Sequence, residues 1–284
     1  MSTTTLSAVI ERSPFRSELP RSRVVLALVK RDWLVTRSYR LPFVLDLFFG
    51  VVNLAVYFFI SRTFAGAALD KLGGAPSYFA FATVGIVLTG VLSAAATGLA
   101  GRLREEQLTG TLEALLAQPI TVQELSLGLV GFPFLFAGIR GAFYLLLAVL
   151  AFGVDVSHMS WAGFFLCLLA GAAAFSALGV LLGAVVLVLK RGEVLVGLLT
   201  FGMGLVGGAF FPVSVLPNWL EPIGRIVPTG LAFHGVRSAA FVGTGWAGDA
   251  IALACMGAIG LPIAVWVFGR ALAYAERSGT IAQY

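Results

Sequence analysis

Charge is what this sequence has least of. Asp, Glu, Lys and Arg together make up only 12% of its 284 residues, where soluble domains carry roughly a quarter, so an ordinary soluble globule is excluded. Histidine is nearly absent too. His158 and His234 stand alone, with no second ligand at metal-binding spacing, so no metal site is expected. The two cysteines, Cys167 and Cys255, lie inside apolar runs and read as small packing residues, not as a disulfide. Only three lysines occur (Lys30, Lys71 and Lys190), and none follows a glycine-rich phosphate loop of the form G-x-x-x-x-G-K-[ST]. This chain therefore carries no nucleotide site of the usual kind, no cofactor and no catalytic constellation. The net charge of +5 belongs to topology, since basic residues of membrane proteins gather in cytoplasmic loops, and it gives no reason to expect nucleic-acid binding.

What the chain has in abundance is apolar length. Its mean hydropathy is +0.96 and 59% of its residues are hydrophobic. Runs long enough to cross a bilayer recur at 41–61, 78–99, 132–152, 161–189, 194–211 and 250–268. The fold class is an all-α membrane protein with six transmembrane helices. The first 20 residues are polar, with Arg12, Arg16 and two prolines, so no cleavable signal peptide is expected.

Residues 22–38 precede the first span. Val25, Leu26, Val29 and Trp33 fall on one helical face and Arg23, Lys30, Arg31 and Arg37 opposite, the pattern of an amphipathic interface helix on an anionic leaflet. Basic residues set the orientation. Residues 1–40 hold 8, and Arg102, Arg104, Lys190, Arg191, Arg270 and Arg277 bring that side to 14. The other side holds 4, namely Arg62, Lys71, Arg225 and Arg237, while Arg140 lies within a span. Both termini are therefore expected in the cytoplasm. Three parts follow: a cytoplasmic tail and interface helix at 1–40, a six-span domain at 41–270, and a cytoplasmic tail at 271–284.

Two connections stand out. Between spans two and three, Leu108, Leu112, Leu115 and Leu116 recur at helical spacing, with Glu105, Glu106 and Glu113 off that stripe and Pro119 ending it. Glutamates suit an anionic leaflet poorly, so this short cytoplasmic helix is expected to fill a groove on a protein partner. Between spans five and six, Pro212, Pro217, Pro222 and Pro228 forbid one continuous helix, yet the stretch is too apolar for a free loop. Short helices dipping into the outer leaflet are expected instead.

These two connections carry a family resemblance. RLREEQLTGTLEALLAQPITVQELSLG resembles the cytoplasmic loop of ABC-2 type transporter permeases at Arg104, Glu105, Gly110, Thr111, Leu112, Glu113, Leu115, Leu116, Pro119 and Glu124. GGAFFPVSVLPNWLEPIGRIVPTGLAFHGVR is similar to the family's segment after the fifth span, at Phe210, Phe211, Pro212, Leu216, Pro217, Trp219, Pro228 and Arg237. The resemblance implies the membrane subunit of an ATP-driven exporter in the inner (plasma) membrane. It implies a second permease, expected as a homodimer, and two copies of an ABC ATPase subunit, which would hold the ATP and Mg. It also implies that Glu105, Glu106, Leu108, Thr111, Leu112, Glu113, Leu115 and Leu116 couple to that ATPase, and that Phe211, Pro212, Pro217, Trp219 and Pro228 belong to re-entrant helices near the outer exit. The absence of a row of polar residues for gripping sugars favours a hydrophobic, lipidic or drug-like substrate; a lipid-linked glycan is the alternative.

Asp46 and Arg140 lie inside spans one and three at similar depth and are candidates for an intramembrane pair, either lining a route or tying two helices together. Tyr57, Phe58, Phe59, Phe79 and Phe81 are packing residues or the wall of an aromatic path. Two G-x-G-x-x-G matches, at 202–207 and 243–248, follow no strand and carry no dinucleotide signal; Gly204 and Gly208 read instead as close helix contacts. Two other function classes remain on composition alone. A proton-coupled carrier would want more intramembrane acids and an internal repeat, and a lipid enzyme would want a His, Asp or Cys cluster.

Overall fold

The computed structural model describes residues 21–63, 72–111, 114–115, 117–118, 121–188 and 193–277. Among these every regular element is helical. We label them α1 (Arg21–Ser38), α2 (Arg40–Thr63), α3 (Tyr78–Leu108), α4 (Val122–Phe152), α5 (Trp161–Val188), α6 (Glu193–Val206), α7 (Glu221–Ile226), α8 (Pro228–Arg237) and α9 (Ala247–Arg277). A π-helical turn, Ser238–Val242, extends α8 and ends at Gly243, whose φ of 79° favours a residue without a Cβ.

Five helices are long and apolar enough to cross a membrane, namely α2, α3, α4, α5 and α9. The fifth run expected from the sequence, 194–211, is helical only over the 14 residues of α6. Its apolar content continues to Phe211, but the backbone turns at Gly207 and Gly208, and Gly208 takes φ +84°. At 1.5 Å per residue α6 reaches about 21 Å, short of a hydrocarbon core of about 30 Å.

The centre of the bundle is α5, packed between α3 and α9. Small residues permit the approach: a Cβ at Gly179 would lie 2.4 Å from the carbonyl oxygen of Ala95, and one at Gly257 only 3.0 Å from Ala173. Val84, Leu88, Leu92, Phe175, Phe233 and Leu253 fill the space between them. The glycine pair singled out in α6 does something else: Gly204 faces open space and Gly208 serves the turn. The aromatic residues divide. Phe58 packs edge-on to Phe79 and tilts against Phe152, with centroids 5.4 and 4.8 Å away, while Phe59 is exposed.

α4 begins ten residues before the apolar run that announced it. Thr121 and Glu124 explain the start. The Thr121 hydroxyl accepts the Glu124 amide, and the Glu124 carboxylate accepts the Thr121 amide at 2.7 Å, a capping box that satisfies two otherwise orphaned donors.

Candidate functional site

Three polar assemblies interrupt this apolar bundle, one at the end that carries α1, one at mid-depth and one at the opposite end. At the first, α1 lies across α4. Gly128 and Gly131 leave room for it: a Cβ at Gly128 would come within 2.2 Å of Leu28, and one at Gly131 within 2.9 Å of Val29. Trp33 meets Phe132 edge-on at 6.4 Å. Asp32, four residues after Leu28, is therefore turned inward and buried. It accepts from Arg31 at 3.0 Å and pairs with Arg102 at 3.5 Å. Arg31 reaches on to Glu106 at 2.6 Å, and Glu106 also accepts the Thr111 hydroxyl. Burial by itself would lower the Arg31 pKa, but the hydrogen bonds and charges of Glu106 and Asp32 outweigh it and raise the value.

This arrangement divides the candidate coupling residues. Glu106 is buried against Arg31, whereas Glu105 remains largely exposed and pairs with Arg102 at 2.7 Å. Leu108 ends α3 with 65% of its surface exposed. The chain then turns at Thr109 and Gly110, the latter at φ +72°, so Leu108 and Leu115 do not share one helix. Leu115 packs against the cluster around Leu99 and Leu103. Leu112, Glu113 and Leu116 lie outside the described residues. Asp32 was not singled out from the sequence, although its place on the inward face beside Leu28 was a readable signal.

At mid-depth the structure brings Asp46 and Arg140 together, with 2.5 Å between Oδ2 and Nη1. They form one wall of a cavity of about 340 Å³ between α2, α3 and α4, which Asn53, Thr89, Tyr144 and Phe210 also line. Tyr144 donates to the Asp46 carbonyl at 3.3 Å. Gly50 makes that possible, since a Cβ there would lie 1.7 Å from the Tyr144 hydroxyl.

At the opposite end, the segment after α6 folds into short helices whose prolines sit where proline is tolerated. Pro222 and Pro228 occupy the first turns of α7 and α8. Pro212 enters a 3₁₀ turn, Val213–Val215, and the carbonyl of Pro217 accepts the amides of Leu220 and Glu221 at 2.8 and 3.0 Å. Phe211 and Pro228 are half-buried, while Trp219 is 71% exposed. The anchor is Arg237, which is buried. It donates to the carbonyls of Gly208 at 2.7 Å, Ala209 at 2.8 Å and Phe81 at 3.2 Å, and lies 3.4 Å from the centre of the Phe81 ring. Gly85 lets the broken end of α6 touch α3: a Cβ there would lie 1.9 Å from the Ala209 carbonyl oxygen. Tyr78 binds the Phe210 carbonyl at 3.0 Å and Thr229 that of Met203 at 2.8 Å. Arg237 is thus a buried joint, and its charge does not belong in a loop tally of orientation. No group of three or more metal-binding side chains occurs among the described residues.

With this geometry in hand, the comparisons with known proteins are specific. The sequence matches the pattern of the family described as ABC-2 type transporter over residues 23–241, which takes in α1, the three polar assemblies and every helix before α9. The chain is also similar to the inner membrane transport permease YadH of Escherichia coli (strain K12) and to that of Shigella flexneri. In each case the identity is 24% over 190 residues, covering 66% of this chain and 72% of the relative.

Proposed function

The chain belongs to the ABC-2 type transporter family as its membrane subunit, and from that premise we propose that it exports a hydrophobic, lipidic or drug-like substrate with energy from a separate ATPase. Two copies of the permease, as a homodimer, would sit above two ATPase subunits in the inner membrane. Both termini, α1 and the 105–118 connection would face the cytoplasm. α6 with the anchored segment after it would make a sixth, broken passage, its short helices re-entering near the outer exit.

The observation that carries this reading is the exposed end of α3. Leu108 and Glu105 point away from the bundle, while Arg31, Asp32, Arg102 and Glu106 lock the same helix end to α1 and so to α4. A push delivered there would reach the bundle through charge pairs and packed side chains, as coupling requires. Two largely apolar cavities support an apolar substrate, one of about 390 Å³ beside Leu145, Val149 and Phe164, the other of about 540 Å³ beside Leu99, Val130 and Trp266. Only 6% of the most apolar window of α2 is buried within the monomer, which suits a second copy packing on it.

The test is affinity purification of the tagged chain from its own membranes, with ATP hydrolysis assayed on what accompanies it. An ATPase should co-purify with the wild type and be lost in Leu108→Asp, which leaves core packing alone. Retention of the ATPase by Leu108→Asp, at unchanged yield, would remove the α3 end from the docking surface.

A further inference from the structure

We propose that the Asp46–Arg140 cavity binds the head of a zwitterionic amphiphile, the carboxylate taking its cation and the guanidinium its anion. The proposal rests on the export reading and narrows it to a substrate class. Four observations carry it.

The pair is open. Within one copy, side-chain exposure is 45% for Asp46 and 25% for Arg140, and both line the cavity. A pair that only tied α2 to α4 would be better closed, because water or lipid competes for every unshared lone pair and proton.

The pair is also unsaturated. Among the described residues the single bond between Asp46 Oδ2 and Arg140 Nη1 is the only one either side chain makes, leaving Oδ1, Nε and Nη2 without partners. A guanidinium presents five donors and a carboxylate about four acceptor positions, so each can engage a ligand without leaving the other.

The third observation is the charge balance. The described titratable groups lining the cavity are Asp46, Arg140 and Tyr144, so the wall carries one negative and one positive charge. In a poorly solvated site, a ligand with a single charge would leave one wall charge facing a like charge, at a cost of several kcal/mol. A ligand carrying one of each keeps the count at zero.

The fourth is what else lines the space. The Thr89 hydroxyl is buried without a hydrogen-bond partner among the described residues, and Asn53 supplies an amide. Val87 and Gly141 also wall the apolar cavity of about 390 Å³ on the other side of the α3–α4 seam, so apolar surface for a chain lies adjacent. At about 340 Å³ the polar cavity accommodates a headgroup and not a whole lipid.

The experiment uses the full chain in neutral maltoside micelles and three photoreactive probes with one dodecyl chain but different heads, namely phosphocholine, trimethylammonium and phosphate. Crosslinked peptides are read by mass spectrometry. Wild type should label on α2 and α4, with the phosphocholine probe favoured by about tenfold over either singly charged probe. Asp46→Asn should shift the preference about tenfold towards phosphate, and Arg140→Gln as far towards trimethylammonium. The exchange Asp46→Arg with Arg140→Asp should restore phosphocholine. Equal labelling of wild type by all three heads, or labelling away from α2 and α4, would overturn the proposal even if no variant folds. Variants that fold with unchanged preferences would reduce the pair to a helix tie. Because the readout needs no ATPase, its failure is distinct from failure of the export reading.

Discussion

Two arginines in this bundle are built in opposite ways. Arg237 is buried, pairs with no carboxylate among the described residues, and directs its guanidinium at three backbone carbonyls and the face of Phe81. Arg140 is partly exposed, has a carboxylate at 2.5 Å, and leaves most of its donors unused. The first geometry is closed. It caps the broken end of α6, where carbonyls lack intrahelical partners and a positive charge suits the helix dipole. The second is open, and openness inside a membrane has a standing cost that a purely structural residue would avoid. The contrast separates a joint from a site: burial against three backbone carbonyls, with only Nε left over, marks the one, and a single bond at the wall of a cavity the other.

The largest effect should come from breaking the joint. Arg237→Met leaves the Gly208 and Ala209 carbonyls, which lie beyond the end of α6, without their donor, at about 1–3 kcal/mol for each buried group left unsatisfied. We expect a sharp fall in membrane yield and in the thermal midpoint of the purified protein. Arg237→Lys should recover only part of it, because one ammonium cannot reproduce the planar fork. Gly85→Leu attacks the same joint from α3, since its Cβ would meet the Ala209 carbonyl oxygen at 1.9 Å, and it should lower the midpoint comparably.

An intermediate effect is expected at the α1 end, where Arg31 is 38% exposed and Glu106 buried. Arg31→Ala leaves Glu106 with only Thr111 among the described residues, a loss we place at about 1 kcal/mol after allowance for solvent screening. Limited proteolysis should show α1 cut faster while the rest of the chain stays protected. For the open pair the comparison predicts the reverse pattern: Asp46→Asn should move the thermal midpoint little and change which amphiphiles bind.

The smallest effect concerns His234 on α8, outside the spanning helices. Its hydrogen bond to Asp249, 2.6 Å away, raises its pKa, with burial and the charges of Arg225 and Arg237 opposing. A raised histidine stabilises most below its unfolded pKa of about 6.5, and that contribution fades as pH climbs through the higher folded value. The thermal midpoint should therefore fall slightly from pH 6 to pH 8 in wild type, and the His234→Gln variant should lack that part of the slope.

How much of this was legible beforehand follows from what periodicity can encode. Apolar length announced α2, α3, α4, α5 and α9, and proline spacing announced the broken segment after α6. The stripe from Leu108 to Leu116 was read as one helix, but Gly110 in the left-handed region ends α3 between them. Thr109–Gly110 was a stop signal overridden by leucine spacing. The Thr121–Glu124 capping box was equally readable and explains why α4 starts before its apolar run. The seat of α1 on Gly128 and Gly131 was not legible, because nothing local in either segment encodes a contact a hundred residues away. The same holds for Arg237, whose sequence neighbours say nothing of the carbonyls near 208 or of Phe81. Asp46 and Arg140 could be paired from depth alone; their unused donors and acceptor required coordinates.

What sets the proposed function apart is outward transport driven by another chain's ATP hydrolysis. Its most direct test is uptake into inside-out membrane vesicles, with the phosphocholine amphiphile as cargo. Accumulation should require added ATP, be abolished by Leu108→Asp, and survive collapse of the proton gradient. No accumulation would count only against this amphiphile as cargo; accumulation without ATP that follows the proton gradient would contradict ATP-driven export.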